Sequence, residues 1–166
     1  NTTTTDSSTQ TTDTGPTSTT HVTTDVALTW RLHEEIGSLV YVQWEQQANR
    51  TGYVEYSFDN DVWLQSPERD FATGAEEQLL LGIPYGMEVS IRLVIDQGDA
   101  LWTSEEVIAT TDGLPDGMPV PQYVSGNSKR WYPEGKYLYT AINGSTGGWT
   151  SGDYWKMIFD RQGRVV

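Results

Sequence analysis

The feature that most constrains this chain is an apolar alternation with a period of two residues. It recurs from Val22 to Thr111. Val26, Leu28, Trp30 and Leu32 alternate with Ala27, Thr29 and Arg31, and Val40, Val42 and Trp44 alternate with Tyr41, Gln43 and Glu45. Val54, Tyr56 and Phe58 interleave with Glu55, Ser57 and Asp59, while Met87, Val89, Ile91, Leu93 and Ile95 form a longer run in which Val94 is the apolar exception. Successive side chains of a strand point to opposite faces, so each run puts one face into a core and leaves the other wet. Turn chemistry separates the runs at Asn49-Arg50-Thr51-Gly52, Asp59-Asn60-Asp61, Pro84-Tyr85-Gly86 and Gln97-Gly98-Asp99. With weaker candidates at Val62–Gln65, Glu77–Leu81 and Glu105–Thr111, about seven strands are expected. No stretch has a helical period. The expected fold class is all-β, a β-sandwich.

On either side of residues 22–111 the composition changes. Residues 1–21 contain no Val, Ile, Leu, Met, Phe, Tyr or Trp, and 14 of the first 20 are Thr or Ser. Ordering such a stretch costs roughly 1–2 kcal/mol per residue with no apolar burial to offset it, so it is expected to be a disordered spacer or stalk. Residues 112–122, DGLPDGMPVPQ, are Pro- and Gly-rich and read as a linker. Residues 22–121 carry 18 acidic and 4 basic side chains, whereas 122–166 carry 3 and 6. A change of sign at a Pro-rich joint predicts separate units.

The net charge of −13 argues against a nucleic-acid partner and against attraction to anionic lipid. With no Cys, disulfides and thiolate metal sites are excluded. No apolar run is long enough for a transmembrane helix. Asp59-Asn60-Asp61 and Asp96-Gln97-Gly98-Asp99 read as turns rather than calcium loops, and no metal or other cofactor is expected. Glu34-Glu35 and Glu76-Glu77 are adjacent acids, which strands send to opposite faces, so they do not form a catalytic pair. The two histidines, His21 and His33, read as solvated surface residues. No catalytic residue is expected in this stretch.

Residues 123–166 read as strand, Gly-rich loop, strand, turn and the opening of a further strand at Arg164-Val165-Val166. Three short strands do not bury both faces alone, so a continuation past Val166 is expected, as in part of a propeller blade. The segment is rich in aromatic rings. Trp131, Tyr132, Trp149 and Trp155 are the candidate binding residues, able to stack on a sugar or aryl group, with Lys129, Arg130, Lys136 and Lys156 to attract an anion. The alternative is that these rings fill a core between blades.

Two resemblances sharpen these expectations. Val22–Thr111 resembles a fibronectin type III domain through Trp44 in VYVQWEQ and through LLLGIPYGMEVSIRLVI, which is similar to the corner leading into that family's long strand. The family's corner Tyr would fall at Val89, so a tyrosine corner is not expected. YPEGKYLYTAINGSTGGWTSGDYWKMIFDRQGRVV resembles the first blade of the bacterial arylsulfotransferase propeller, with its Ile-Phe-Asp-x-x-Gly-x-Val-Val hairpin. That resemblance implies an extracellular, cell-surface or periplasmic protein that moves a sulfuryl group from an aryl sulfate to a phenol. A propeller His would be the nucleophile, and the present residues would be a non-catalytic spacer or docking portion. The implied partner is a downstream propeller of the same chain. A surface glycan or a protein is the partner if the stretch is instead a self-contained adhesion module or a subunit of an extracellular assembly.

Overall fold

The computed structural model describes residues 21–59, 62–120, 124–130, 132, 135–143 and 154–166. They form an all-β structure in which two sheets pack face to face, with a separate hairpin docked at one corner. The strands of the sandwich are β1 (His21–Thr24), β2 (Thr29–Leu32), β3 (Val40–Gln46), β4 (Arg50–Ser57) and β5 (Leu64–Gln65), then β6 (Arg69–Phe71), β7 (Gly74–Leu80), β8 (Glu88–Asp96), β9 (Leu101–Ser104) and β10 (Val107–Thr110). The smaller sheet runs β2-β3-β7, antiparallel throughout. In the larger sheet β4 and β8 form the centre, β5 and β6 flank β4, β9 and β10 flank β8, and β1 adds to β9 in parallel.

The core follows the alternation. Val40, Val42 and Trp44 from one sheet meet Val54, Tyr56, Ile91, Leu93 and Ile95 from the other, all of them buried. Cross-strand registry places Val54 opposite Leu93 and Tyr56 opposite Ile91, so the inward residues of β4 and β8 share one face. Trp44 meets the ring of Phe71 edge-on, with centroids 5.0 Å apart, and its indole N–H donates to Gln46 Oε1 at 3.1 Å.

Three sequence expectations change. Asn49–Gly52 is not a turn, because the chain reverses at Gln47–Asn49 and β4 already begins at Arg50. Gly52 instead lets another backbone approach: a Cβ there would collide with the carbonyl oxygen of Val94 and the ring of Phe71. Trp30, expected inside, is 38% exposed, because β2 is an edge strand with β3 as its one neighbour in the sheet. Strands β1, β6 and β9 were not expected at all.

Two of the short strands owe their geometry to a serine. The strands on each side of the β4–β8 pair are broken, one between β5 and β6, the other between β9 and β10. At the first break the Ser66 hydroxyl accepts the Val54 N–H at 3.0 Å, and at the second the Ser104 hydroxyl accepts the Leu93 N–H at 3.0 Å. Ser104 Oγ also donates to the Glu105 carbonyl at 2.8 Å. Each hydroxyl takes the place of a missing ladder carbonyl beside a fully buried residue. Ser104→Ala would leave the Leu93 N–H without an acceptor, and an orphaned buried donor costs about 1–3 kcal/mol. The expected result is a destabilisation of that size in urea, with Ser66→Ala behaving alike and Ser104→Thr milder than either.

Candidate functional site

The corner between β7 and β8 is where the hairpin docks. Val89 lies buried at the position of the expected missing phenol, and other residues fasten the corner. From β4, the Tyr56 hydroxyl donates to the Leu81 carbonyl at 2.9 Å. From beyond β10, the Thr111 hydroxyl donates to the Pro84 carbonyl at 2.8 Å and accepts the Met87 N–H at 2.8 Å. No local pattern in the corner segment indicates either partner, since they lie 25 and 27 residues away in sequence.

The hairpin pairs β11 (Leu138–Asn143) with β12 (Tyr154–Phe159). Its registry sets Leu138 opposite Phe159, Thr140 opposite Met157 and Ile142 opposite Trp155 on one face, and Tyr139 opposite Ile158 and Ala141 opposite Lys156 on the other. The first face turns inward except at Leu138, which is 64% exposed. Met157, Phe159 and Val165 are buried there, with Tyr85 of the corner, Met118, Ile142 and Trp155 packed around them. Backbone bonds reinforce the contact: Tyr85 N–H donates to the Val165 carbonyl at 3.2 Å, and Val166 N–H donates to the Ile158 carbonyl at 3.0 Å. Arg164 spans the junction, pairing with Asp59 at 3.2 Å and with Asp160 at 2.7 Å. The Tyr137 phenol lies over Gly82, whose φ of +77° belongs to the turn after β7. Burial, with a smaller contribution from Asp160, raises the Tyr137 phenol above the ordinary tyrosine range.

The second face stays open. Tyr139, Tyr154 and Ile158 are 62%, 56% and 43% exposed, too much apolar surface to be incidental on so small an element. Beside it, along the outer edge of β11, runs a groove of about 600 Å³. Tyr137, Leu138, Tyr139 and Ile142 line one side, with Tyr132, Gly135 and Ser125-Gly126 opposite. Arg161 builds the far wall, since its guanidinium donates to the Gly135 carbonyl at 2.7 Å and to the Tyr132 carbonyl at 3.0 Å. Asp160 in turn shapes the loop that carries Arg161: its carboxylate accepts the Gln162 and Arg164 N–H groups, each at 2.9 Å.

The four candidate binding residues therefore separate. Tyr132 is 72% exposed and stands on the groove. Trp155 lies on the inward face, half-buried against the Met157 cluster, and its indole N–H is buried without a hydrogen-bond partner among the described residues. Trp131 and Trp149 lie outside the described residues. Tyr137 and Tyr139, which also line the groove, belong to the aromatic-rich segment whose rings the sequence offers for stacking, whereas Arg161 is a groove residue that no sequence pattern put forward.

Charge is sharply divided. In the sandwich, Arg31 pairs with Glu77, Arg69 with Glu76, Arg92 with Glu55, and Arg50 donates to Gln97. In the hairpin segment, Lys129, Arg130, Lys136 and Lys156 are exposed and make no ion pair among the described residues. Elsewhere, chemistry-bearing residues are engaged in structure. His33 Nδ1 accepts the N–H groups of Glu35 at 3.1 Å and Ile36 at 3.3 Å, and the ring stacks on Tyr41, so this partly exposed residue caps a turn. His21 contributes its backbone to β1, and its side chain lies outside the described residues. Asp96 Oδ1 accepts the Gly98 N–H, an ordinary turn bond. Asn60 and Asp61 lie outside the described residues, and among the described residues no group of acids and histidines is arranged to hold a metal. Among the described residues no helix is long and apolar enough to cross a membrane. No protein-family model and no curated protein matches this sequence.

Proposed function

We propose that this stretch is the non-catalytic spacer and docking portion of an exported arylsulfotransferase-like protein, in which a fibronectin type III-like sandwich holds the first hairpin of a β-propeller. The observation that carries this reading is the two-sided character of the hairpin. Its inward face is anchored on the sandwich corner by Met157, Phe159 and Val165, while Tyr139, Tyr154 and Ile158 face away uncovered, a surface suited to a neighbouring blade. The sandwich supports the finer assignment through its order, β2-β3-β7 against a sheet centred on β4 and β8, with Trp44 in the core. Sulfuryl transfer needs a nucleophile and cationic or N–H groups around the sulfuryl oxygens. Among the described residues His33 Nδ1 is occupied by two backbone donors, and its ring is stacked on Tyr41.

A transfer assay with p-nitrophenyl sulfate as donor and a phenol as acceptor tests the reading. The 166-residue chain is expected to be inactive, and the product of the full reading frame is expected to release p-nitrophenol only when the phenol is present. Turnover by the short chain, or an inert full-length product, would overturn it. The groove beside β11 favours a second reading, an extracellular binding module, which predicts retention of the short chain on a partner surface without any chemistry.

A further inference from the structure

We propose that the outer edge of β11 receives an extended acidic polypeptide segment as an added strand. This goes beyond the sulfuryl-transfer reading and does not depend on it, since it concerns the strand edge rather than the open face. The first support is backbone geometry. Among the described residues β12 is the sole ladder partner of β11, so the N–H and C=O groups on the other edge have no strand to pair with. Folded proteins guard such edges with charge, proline or a bulge. Edge strand β2 carries Arg31, and edge strand β7 carries Glu76 and Glu77. Strand β11 reads LYTAIN and carries none of these devices over its six residues.

The second support is the groove. It follows this edge and has a wall of its own, Gly135 and Tyr132, held in place by Arg161. A strand of six residues is about 20 Å long and its neighbour lies about 4.8 Å away, so an extended chain laid in the groove would present alternate side chains to Leu138 and Ile142 on one side and to Tyr139 on the other. A sugar could stack on the phenols but has no repeating donor and acceptor to match a strand edge.

The third support is charge, and it selects the partner. Lys136 lines the groove, where the one carboxylate among the lining residues, Asp160, is paired with Arg164; Lys156 lies on the other face of the hairpin, on β12, and Lys129 and Arg130 precede the wall, all four cations exposed and without ion pairs among the described residues. The sandwich has no comparable reserve, because its arginines are engaged. An acidic strand therefore gains attraction at the hairpin, while its repulsion from the net −14 of residues 22–121 keeps it off the sandwich.

The test uses the whole chain and a fluorescein-labelled peptide of about ten residues alternating valine and glutamate, long enough to match β11. Binding is expected by anisotropy, accompanied by shifts of the Leu138–Asn143 amide resonances. The alternating valine–lysine peptide is expected to bind at least about tenfold more weakly, and the double variant Lys136→Glu, Lys156→Glu to reverse that preference. Both lysines are exposed, so the variant keeps the fold, which circular dichroism checks. A glutamate peptide interrupted by prolines should lose binding, because it has too few N–H groups for a ladder. Equal binding of the proline-interrupted peptide, or full competition by heparin with no shift of the β11 amides, would reduce the site to charge alone and overturn the proposal. Absence of binding would overturn it too, as would sedimentation showing that two copies of the chain already occupy each other's edge.

Discussion

Replacing Gly52 by valine is expected to be the most damaging single change in the sandwich, costing about 3 kcal/mol or more. Gly52 lies in β4 opposite Ile95 of β8, where a Cβ would overlap the Val94 carbonyl oxygen and come within 2.7 Å of the Phe71 ring. Neither obstacle is the free end of a flexible side chain. The carbonyl belongs to the central ladder, and Phe71 is 1% exposed and meets Trp44 edge-on. Overpacking a filled core ordinarily costs about 1–3 kcal/mol, and displacing a ladder strand adds to that. Total stabilities run to about 5–15 kcal/mol, so the variant should lose a large part of its folded population near body temperature. The check is a urea midpoint for Gly52→Ala and Gly52→Val, with a progressive loss expected. A wild-type midpoint in the alanine variant would mean that Phe71 and β8 can move aside, and the close approach would then not be a constraint.

Raising the pH from 10 to 12 is expected to remove about 2–3 kcal/mol of stability through Tyr56 alone, whose pKa rises from 10.0 to about 12. Burial is the main cause, because the phenolate would lose water at a position 8% exposed, and the nearby Tyr137 phenol adds to it. In the unfolded chain the phenol ionises near its ordinary value, so between the two pH values the folded state holds more protons and stability falls as pH rises. The contribution is fully present below pH 10 and gone above about pH 12. Tyr137 and Tyr53, also raised by burial, act in the same direction. Urea midpoints measured across this range should decline steadily, and Tyr56→Phe should flatten much of the decline. The same variant gives up the bond to the Leu81 carbonyl and should lose about 1 kcal/mol at neutral pH. A wild-type midpoint that stays level to pH 12 would show that the Tyr56 phenol is hydrated in the folded state.

Much of the sandwich was legible because its long strands obey one local rule. Val40, Val42, Trp44, Val54, Ile91, Leu93 and Ile95 were all assigned to the core from alternation and are all buried. The rule is silent for several of the shortest strands. Strands β1, β6 and β9 carry too few apolar side chains to show a period, and they form because β4, β8 and β9 offer edges to pair with. It also misleads at Gly52, where glycine stands for a close approach of two strands rather than for a reversal of the chain. The binding residues were legible only by type. Aromatic richness pointed to the segment that holds the groove, but Trp155 turns inward while Tyr132 stays out, and residue type does not distinguish them.

By itself the sequence determined the all-β class, the inward positions of the long strands, the Asp160–Gly163 turn and the division of charge between residues 22–121 and 122–166. These follow from neighbours a few residues apart or from composition. The tertiary structure alone decided which face of the hairpin is covered, that Tyr56 and Thr111 fasten the corner, and that a groove with its own wall runs beside β11. The physical reason is that an alternating strand defines two faces without ranking them. The ranking comes from whatever lies opposite, here Tyr85 and Met118, and that encounter is between segments distant in the chain.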